Sequence, residues 1–251
     1  MRTLLPGTVE KYLVEKSAQG TILAALIDPE DFQPQQAAQK ALAAEGSGVS
    51  LILVGGSTIS DQRRLDSVVT AIKETVTSHV VLFPGNITGV SHHADAILFS
   101  SLLNSTNPYF ITGAQALGAM EVYRSKIESI PMGYLVFGGD TAASFVGQAN
   151  SLPLSKPNLA VIYSLAARYL GMRSLYLEAG SGASNPIPDA TIKLVRKFYN
   201  GILFVGGGIT TPRSAKRASL AGADVLVVGN ILHTTACSKK LSQITRALNQ
   251  D

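Results

Sequence analysis

The side chains with chemical potential stand at recurring places, each directly after a short apolar run. The first is Asp28, in Ile27-Asp28-Pro29-Glu30-Asp31. A carboxylate there offers the hard oxygen ligand that Mg²⁺ prefers; an aspartate before proline equally serves as a turn or helix cap. The second is Val54-Gly55-Gly56-Ser57-Thr58. Its glycines admit close backbone approach and its hydroxyls can ligate metal or phosphate, or cap the helix that follows. The third is Tyr176-Leu177-Glu178-Ala179-Gly180-Ser181-Gly182. Glu178 can take a proton from a substrate hydroxyl within hydrogen-bond reach, and Tyr176 can bond a polar substrate group. The alternative is a structural turn with Glu178 paired to a cation.

Two glycine turns complete the set: Val205-Gly206-Gly207-Gly208-Ile209-Thr210 and Val228-Gly229-Asn230-Ile231, both ahead of helices. In strand–helix barrels the last two loops frequently hold phosphate through backbone N–H groups and a helix N-terminus. This pair, at this spacing and in this order, is the strongest signal in the residues alone. His79, His92, His93 and His233 show no zinc-ligand spacing with one another or with Cys237, and His92 and His93 read as exposed loop residues. No Gly-x-Ser-x-Gly elbow supports a serine hydrolase, and no Gly-x-Gly-x-x-Gly follows the first strand.

The elements that position these groups are short and buried. Apolar runs at 22–27, 51–54, 80–83, 96–99, 133–137, 174–177, 202–205 and 225–228 read as strands covered on both faces. Helical patterns at 9–18, 34–45, 61–76, 109–127, 159–170, 188–199, 212–221 and after 231 separate most of them. Pro34, Pro188 and Pro212 lie where a helix start accepts proline. Eight alternating strands predict an α/β fold, a (β/α)8 TIM-type barrel, in one domain over 1–251; an open doubly wound sheet is the alternative. The segment between Phe83 and Ala96 is too short and turn-rich for a crossover helix. A missing third helix would leave either an irregular connection or a groove in the barrel wall for a long apolar ligand.

Composition agrees. With 46% hydrophobic and 15% charged residues, the chain can bury a large core and is not disordered. One cysteine excludes an internal disulfide framework and fits a reducing compartment. Without a signal-peptide pattern or a membrane-length apolar run, the expected location is cytoplasmic. A net charge of +4 suits anionic substrates or a membrane surface, but the basic residues are scattered rather than striped, against nucleic acid. Arg63 with Arg64, and Lys239 with Lys240, are expected on solvated helix faces.

Taken in order from Leu23 to Asn230, these motifs, together with Leu82-Phe83-Pro84-Gly85-Asn86, Leu103-Asn104-Ser105 and Asn107-Pro108-Tyr109, resemble the geranylgeranylglyceryl phosphate synthase family, to which the bacterial heptaprenylglyceryl phosphate synthases are related. The run from Tyr176 to Gly182 is the most specific piece. The resemblance implies a prenyltransferase joining sn-glycerol 1-phosphate to a long prenyl diphosphate, geranylgeranyl diphosphate first among them, with Mg²⁺ as cofactor and a barrel lacking its third helix. It implies Asp28 and Ser57 as metal ligands and Glu178 as the catalytic carboxylate. Tyr176, Leu177, Glu178, Ala179, Gly180, Ser181 and Gly182 would hold the glycerol, and Gly207, Gly208, Gly229 and Asn230 its phosphate. Phe83, Phe99, Leu102 and Tyr109 would line the prenyl groove. A homo-oligomer and peripheral membrane contact are further expectations. Thr106 and Phe110 depart from the family pattern, where arginine and tryptophan often stand; this bears on subgroup, interface and chain-length preference. The competing readings are a phosphosugar isomerase or aldolase and a non-catalytic phosphate-binding barrel.

Overall fold

Strand β1 (Ile22–Ile27) pairs in parallel with both β2 (Leu51–Val54) and β8 (Val225–Val228), closing the sheet into a barrel. Between them run β3 (His79–Leu82), β4 (Ala96–Leu102), β5 (Glu128–Val136), β6 (Ser174–Glu178) and β7 (Ile202–Gly206) in sequential order. The computed structural model describes residues 5–56 and 61–250, so the expectation for Ser57 lies outside the described residues. The fold is a (β/α)8 barrel.

Strand alternation divides the core in two. Residues such as Ala24, Leu53, Val81, Leu98, Tyr176 and Phe204 fill the barrel interior. Their neighbours Ala25, Val54, Leu82, Ile97, Leu177 and Val205 face the helix layer, as the two-residue period of a strand requires. The outer layer comprises α2 (Pro34–Glu45), α3 (Gln62–Lys73), α4 (Ala114–Ser125), α5 (Ala142–Val146), α6 (Pro157–Tyr169), α7 (Asp189–Phe198), α8 (Pro212–Leu220) and α9 (Cys237–Leu248). None is long and apolar enough to cross a membrane. Helix α8 begins with Pro212 behind a Thr211/Ser214 capping box, which fixes its N-terminus beside the β7 loop.

The helix α1 (Thr8–Ser17) stops the end of the barrel opposite the strand C-termini, placing Val9 and Leu13 in the interior cluster. Its first turn lacks a side-chain cap of its own. Glu128 supplies one from β5, accepting from the N–H of Val9 at 2.7 Å and of Glu10 at 2.9 Å. Glu10 is only 2% exposed, and Arg173 binds it through two nitrogens, at 2.6 and 2.8 Å. Removing the arginine would leave a buried carboxylate without its cation. Because Arg173 is itself partly exposed, we expect Arg173→Ala to destabilise the fold by about 2–3 kcal/mol rather than the larger loss of a fully buried pair. A urea midpoint unchanged from the parent would contradict this.

The wall is thinnest where a helix is missing. Strand β3 meets β4 only over Val81–Leu82 against Ala96–Ile97, whereas β4 and β5 stay paired from Ala96↔Glu128 to Leu102↔Tyr134. Residues 83–95 contain turns and no helix, as their composition predicts. The predicted helix over 109–127 opens instead as a π-turn, Tyr109–Gly113, before α4.

Candidate active site

The register brings the strand ends to one rim. Glu178, last residue of β6, lies between Val136 of β5 and Gly206 of β7. Its side chain points into the barrel and is 7% exposed. Gly180 N–H donates to Oε1 at 2.5 Å, and the Tyr176 hydroxyl donates to the same carboxylate. Burial raises the Glu178 pKa above the usual carboxylate range, and these two bonds oppose the rise by favouring the charged form. Burial and the nearby Glu178 charge push the Tyr176 and Tyr134 hydroxyls well up, so both remain proton donors.

The glycines of the β7 loop make room for this carboxylate. Gly207 has φ +81°, and a Cβ there would sit 2.6 Å from Gly180 N and 2.7 Å from Glu178 Oε1. Only glycine satisfies both the left-handed backbone and the contact.

Two cavities open on the rim, sharing Leu26, Glu178 and Ser181. One is bounded by Gly182, Gly207, Gly208, Gly229 and Asn230. Ser181 Oγ donates to Asn230 Oδ1 at 2.8 Å, so the β6 and β8 loops clasp each other across it. The backbone N–H groups of Gly207, Gly208 and Asn230 donate to no described residue. No lysine or arginine lines this cavity; an anion in it would be held by N–H groups and hydroxyls, the arrangement of a backbone anion nest.

The second cavity is an apolar groove through the thin wall. Phe83, Phe99 and Leu102 line it, as expected from sequence, but Tyr109 does not. Phe110 takes that place, with Tyr109 packed edge-on behind it at 5.1 Å. The 83–95 segment, α4 and α5 form its sides. At its inner end Phe83, Tyr134 and Tyr176 form an aromatic cluster with centroids 5.1–5.4 Å apart.

Asp28 follows β1. Its Oδ1 accepts from Glu30 N–H at 2.9 Å. Burial raises its pKa, with the Glu30 bond opposing and the Asp31 and Glu30 charges adding. A Cβ on Gly56 would lie 2.0 Å from Asp28 Oδ2, so the carboxylate rests directly on the glycine backbone that borders the groove.

The run from Tyr176 to Gly182 divides its side chains between the rim and the outer core. Leu177 and Ala179 are buried in the outer core, and Ala179 N–H is spent on Gly206 O at 3.0 Å. Strand alternation turns their side chains to the helix layer, while Tyr176, Glu178, Ser181 and Gly182 border the glycine-lined cavity. Gly180 orients Glu178 and lines neither cavity. Arg64 also corrects its expectation. It is not a solvated-face residue but donates to Pro29 O at 2.6 Å and Glu30 O at 3.1 Å, clamping the Asp28 loop; Arg63 remains exposed. His233, 3.3 Å from Asp31 and stacked on Phe32, was likewise missed. Tyr134 was visible only as part of an apolar run, although its parity with Tyr176 across β5 and β6 marks it as inward-facing.

Fold and site define a (β/α)8 barrel whose rim joins a glycine-lined cavity to an apolar groove. The PcrB family model matches residues 18–248, and the chain belongs to that family. It is 51% identical over 243 residues to geranylgeranylglyceryl phosphate synthase of Cenarchaeum symbiosum, covering 96% of this chain and 98% of the relative. The Thermococcus gammatolerans protein of the same name is 48% identical, covering 97% and 96%. The crystal structure of (S)-3-O-geranylgeranylglyceryl phosphate synthase from Thermoplasma acidophilum in complex with substrate sn-glycerol-1-phosphate superposes with a TM-score of 0.93 at 38% identity, covering 96% and 98%.

Proposed function

We propose that the chain is a prenyltransferase that forms (S)-3-O-geranylgeranylglyceryl phosphate from sn-glycerol 1-phosphate and geranylgeranyl diphosphate, releasing diphosphate. One observation carries this reading: a single buried carboxylate, Glu178, borders both the glycine-lined cavity and the apolar groove. A phosphate group fits the first and a prenyl chain the second, so the two substrates meet at Glu178. The glycerol hydroxyl gives its proton to Glu178 as its oxygen bonds the allylic carbon, and the bond from that carbon to diphosphate breaks. Ser181 and Asn230 hold the cavity closed around the glycerol phosphate, and the Tyr176 hydroxyl keeps the Glu178 carboxylate in place.

The cofactor in this reading is Mg²⁺. Asp28 suits it: a half-buried carboxylate, with no described residue bonded to Oδ2, matches an ion that takes one or two carboxylates and completes its shell with phosphate and water. Held by Asp28 with Ser57, the ion would supply charge neutralisation for the departing diphosphate. A phosphosugar aldolase is disfavoured because no lysine lies in any of the eight strands.

We also propose a homo-oligomer in the cytoplasm that touches membranes at its periphery. Exposed Leu117, Met120 and Tyr123 on α4, with Ile162 and Tyr169 on α6, support contact with another copy. Phe145, 86% exposed on the helix that edges the groove, supports the membrane contact.

The test is turnover: protein, Mg²⁺, sn-glycerol 1-phosphate and prenyl diphosphates of several lengths, with ether product sought by mass spectrometry. Product that disappears with chelator is expected; folded protein that binds glycerol phosphate yet consumes no donor overturns the proposal. Chain length has its own handle at Gly118. A Cβ there meets nothing nearer than Ile87 Cγ2 at 4.0 Å. Gly118→Phe should fill the groove and shift donor preference to shorter chains, leaving KM for glycerol phosphate unchanged.

A further inference from the structure

We propose that Asp66, His92 and His93 form a surface site for a borderline transition-metal cation of the Zn²⁺ class, separate from Asp28. Asp66 lies on α3 and the two histidines on the 83–95 segment that stands in for the missing helix. One ligand atom from each lies within 4.8 Å of the others. Two imidazoles and a carboxylate select zinc, nickel or copper over magnesium, which takes oxygen ligands and dehydrates reluctantly. A tetrahedral ion with bonds of about 2.0–2.1 Å needs ligand atoms about 3.4 Å apart. The exposed imidazoles, now 3.9 Å between ring centroids, have the rotamer freedom to close that difference.

The surroundings are already organised for such a site. Ser91, 1% exposed, donates from Oγ to Asp66 Oδ1 at 2.6 Å. This fixes the carboxylate as a hydrogen bond to a metal-ligating oxygen group does, and no described residue bonds Oδ2. On either side, Gln62 reaches Val90 O and Lys73 binds Asp95 at 2.7 and 2.8 Å, so helix and segment are held in register before any ion arrives. Three protein ligands leave the remaining positions to water, giving an open site. Pro84, Asn86, Ile87 and Val90 of the same segment line the groove. A bound ion would therefore brace that wall against α3. Histidine spacing alone could not reveal the site, because the third ligand precedes His92 by a whole strand and turn.

Co²⁺ serves as the probe, titrated into the full chain with excess Mg²⁺ present and followed by its ligand-field absorption. One saturating equivalent, displaced by Zn²⁺, is expected. Asp66→Asn, His92→Ala and His93→Ala should each weaken binding at least about 10-fold, since loss of a residue that only hydrogen-bonds a ligand already costs about 10–100-fold. His79→Ala and His233→Ala should not. In a second readout, Zn²⁺ should slow amide hydrogen exchange over 84–95 in the parent and not in the His92→Ala/His93→Ala variant. The proposal is overturned by an absence of saturable binding, by binding that survives the double variant, or by binding that His233→Ala removes. Each result is independent of turnover, so it stands whether or not the prenyltransferase reading does.

Discussion

Glu178→Gln should lower kcat for ether formation by about 10²–10⁴-fold, the range a positioned general base contributes. The substitution is isosteric and keeps an acceptor for the Gly180 N–H and the Tyr176 hydroxyl, so the loop geometry survives. What it removes is the proposed proton acceptor at the junction of the two cavities. The parent's kcat/KM should rise with pH through the free enzyme's Glu178 pKa, which burial holds above the usual carboxylate range; the variant's residual rate should lack that limb. Stability runs the other way. A carboxyl whose pKa is raised in the fold binds its proton more tightly there than in the unfolded chain. Its contribution is therefore lost as pH rises from the unfolded glutamate value, about 4.3, through the raised folded value. At neutral pH Glu178→Gln should melt no lower than the parent. A variant that turns over within a few-fold of the parent would remove Glu178 from the chemistry, whereas one that melts early would mean that the charge is structural.

The barrel was legible in the sequence because each strand is a short, nearly unbroken apolar run. Three of these runs, 22–27, 51–54 and 225–228, match β1, β2 and β8 end to end. Strands whose ends are polar were cut short. β4 continues through Ser100 and Ser101 because the π-turn and the start of α4 satisfy them: Ser101 Oγ donates to Ile111 O at 2.7 Å, and Gln115 donates to Ser100 O at 2.6 Å. β5 begins at Glu128, hidden by Pro131, whose missing N–H argues against a central strand. Helix α5 is five residues long and has no room to show a period. At the site, Asp28, Glu178 and the two glycine turns stood out because each stands at the end of an apolar run. The Tyr176–Gly182 run looks continuous in sequence, whereas a strand shows alternate side chains to opposite layers, which turns those of Leu177 and Ala179 to the helices. Arg64 and His233 were invisible for another reason. Each acts on the β1 loop from an element far away in sequence, and no local pattern announces such a contact.

Asp28→Asn is expected to lower kcat/KM for the prenyl diphosphate by about 10²–10³-fold, comparable to losing one preorganised group that stabilises developing charge. The amide matches the carboxylate in shape and still accepts from Glu30 N–H, and the Arg64 clamp on Pro29 and Glu30 is untouched. The change is therefore in charge, and its signature should be selective. Glycerol phosphate binding, which we propose uses the glycine cavity across the rim, should stay as in the parent, while the Mg²⁺ concentration for half-maximal rate should rise. The carboxylate must be deprotonated to hold a cation. Because burial raises the Asp28 pKa, the parent's Mg²⁺ affinity should strengthen as pH climbs through that value and then level off; the variant's should show no such step. Arg64→Ala gives the graded version: the charge remains but its loop loosens, so the Mg²⁺ requirement should rise by less than in Asp28→Asn. Equal Mg²⁺ requirements in the parent and Asp28→Asn would place the metal elsewhere. A loss of glycerol phosphate binding in Asp28→Asn would instead make this carboxylate part of the rim's structure.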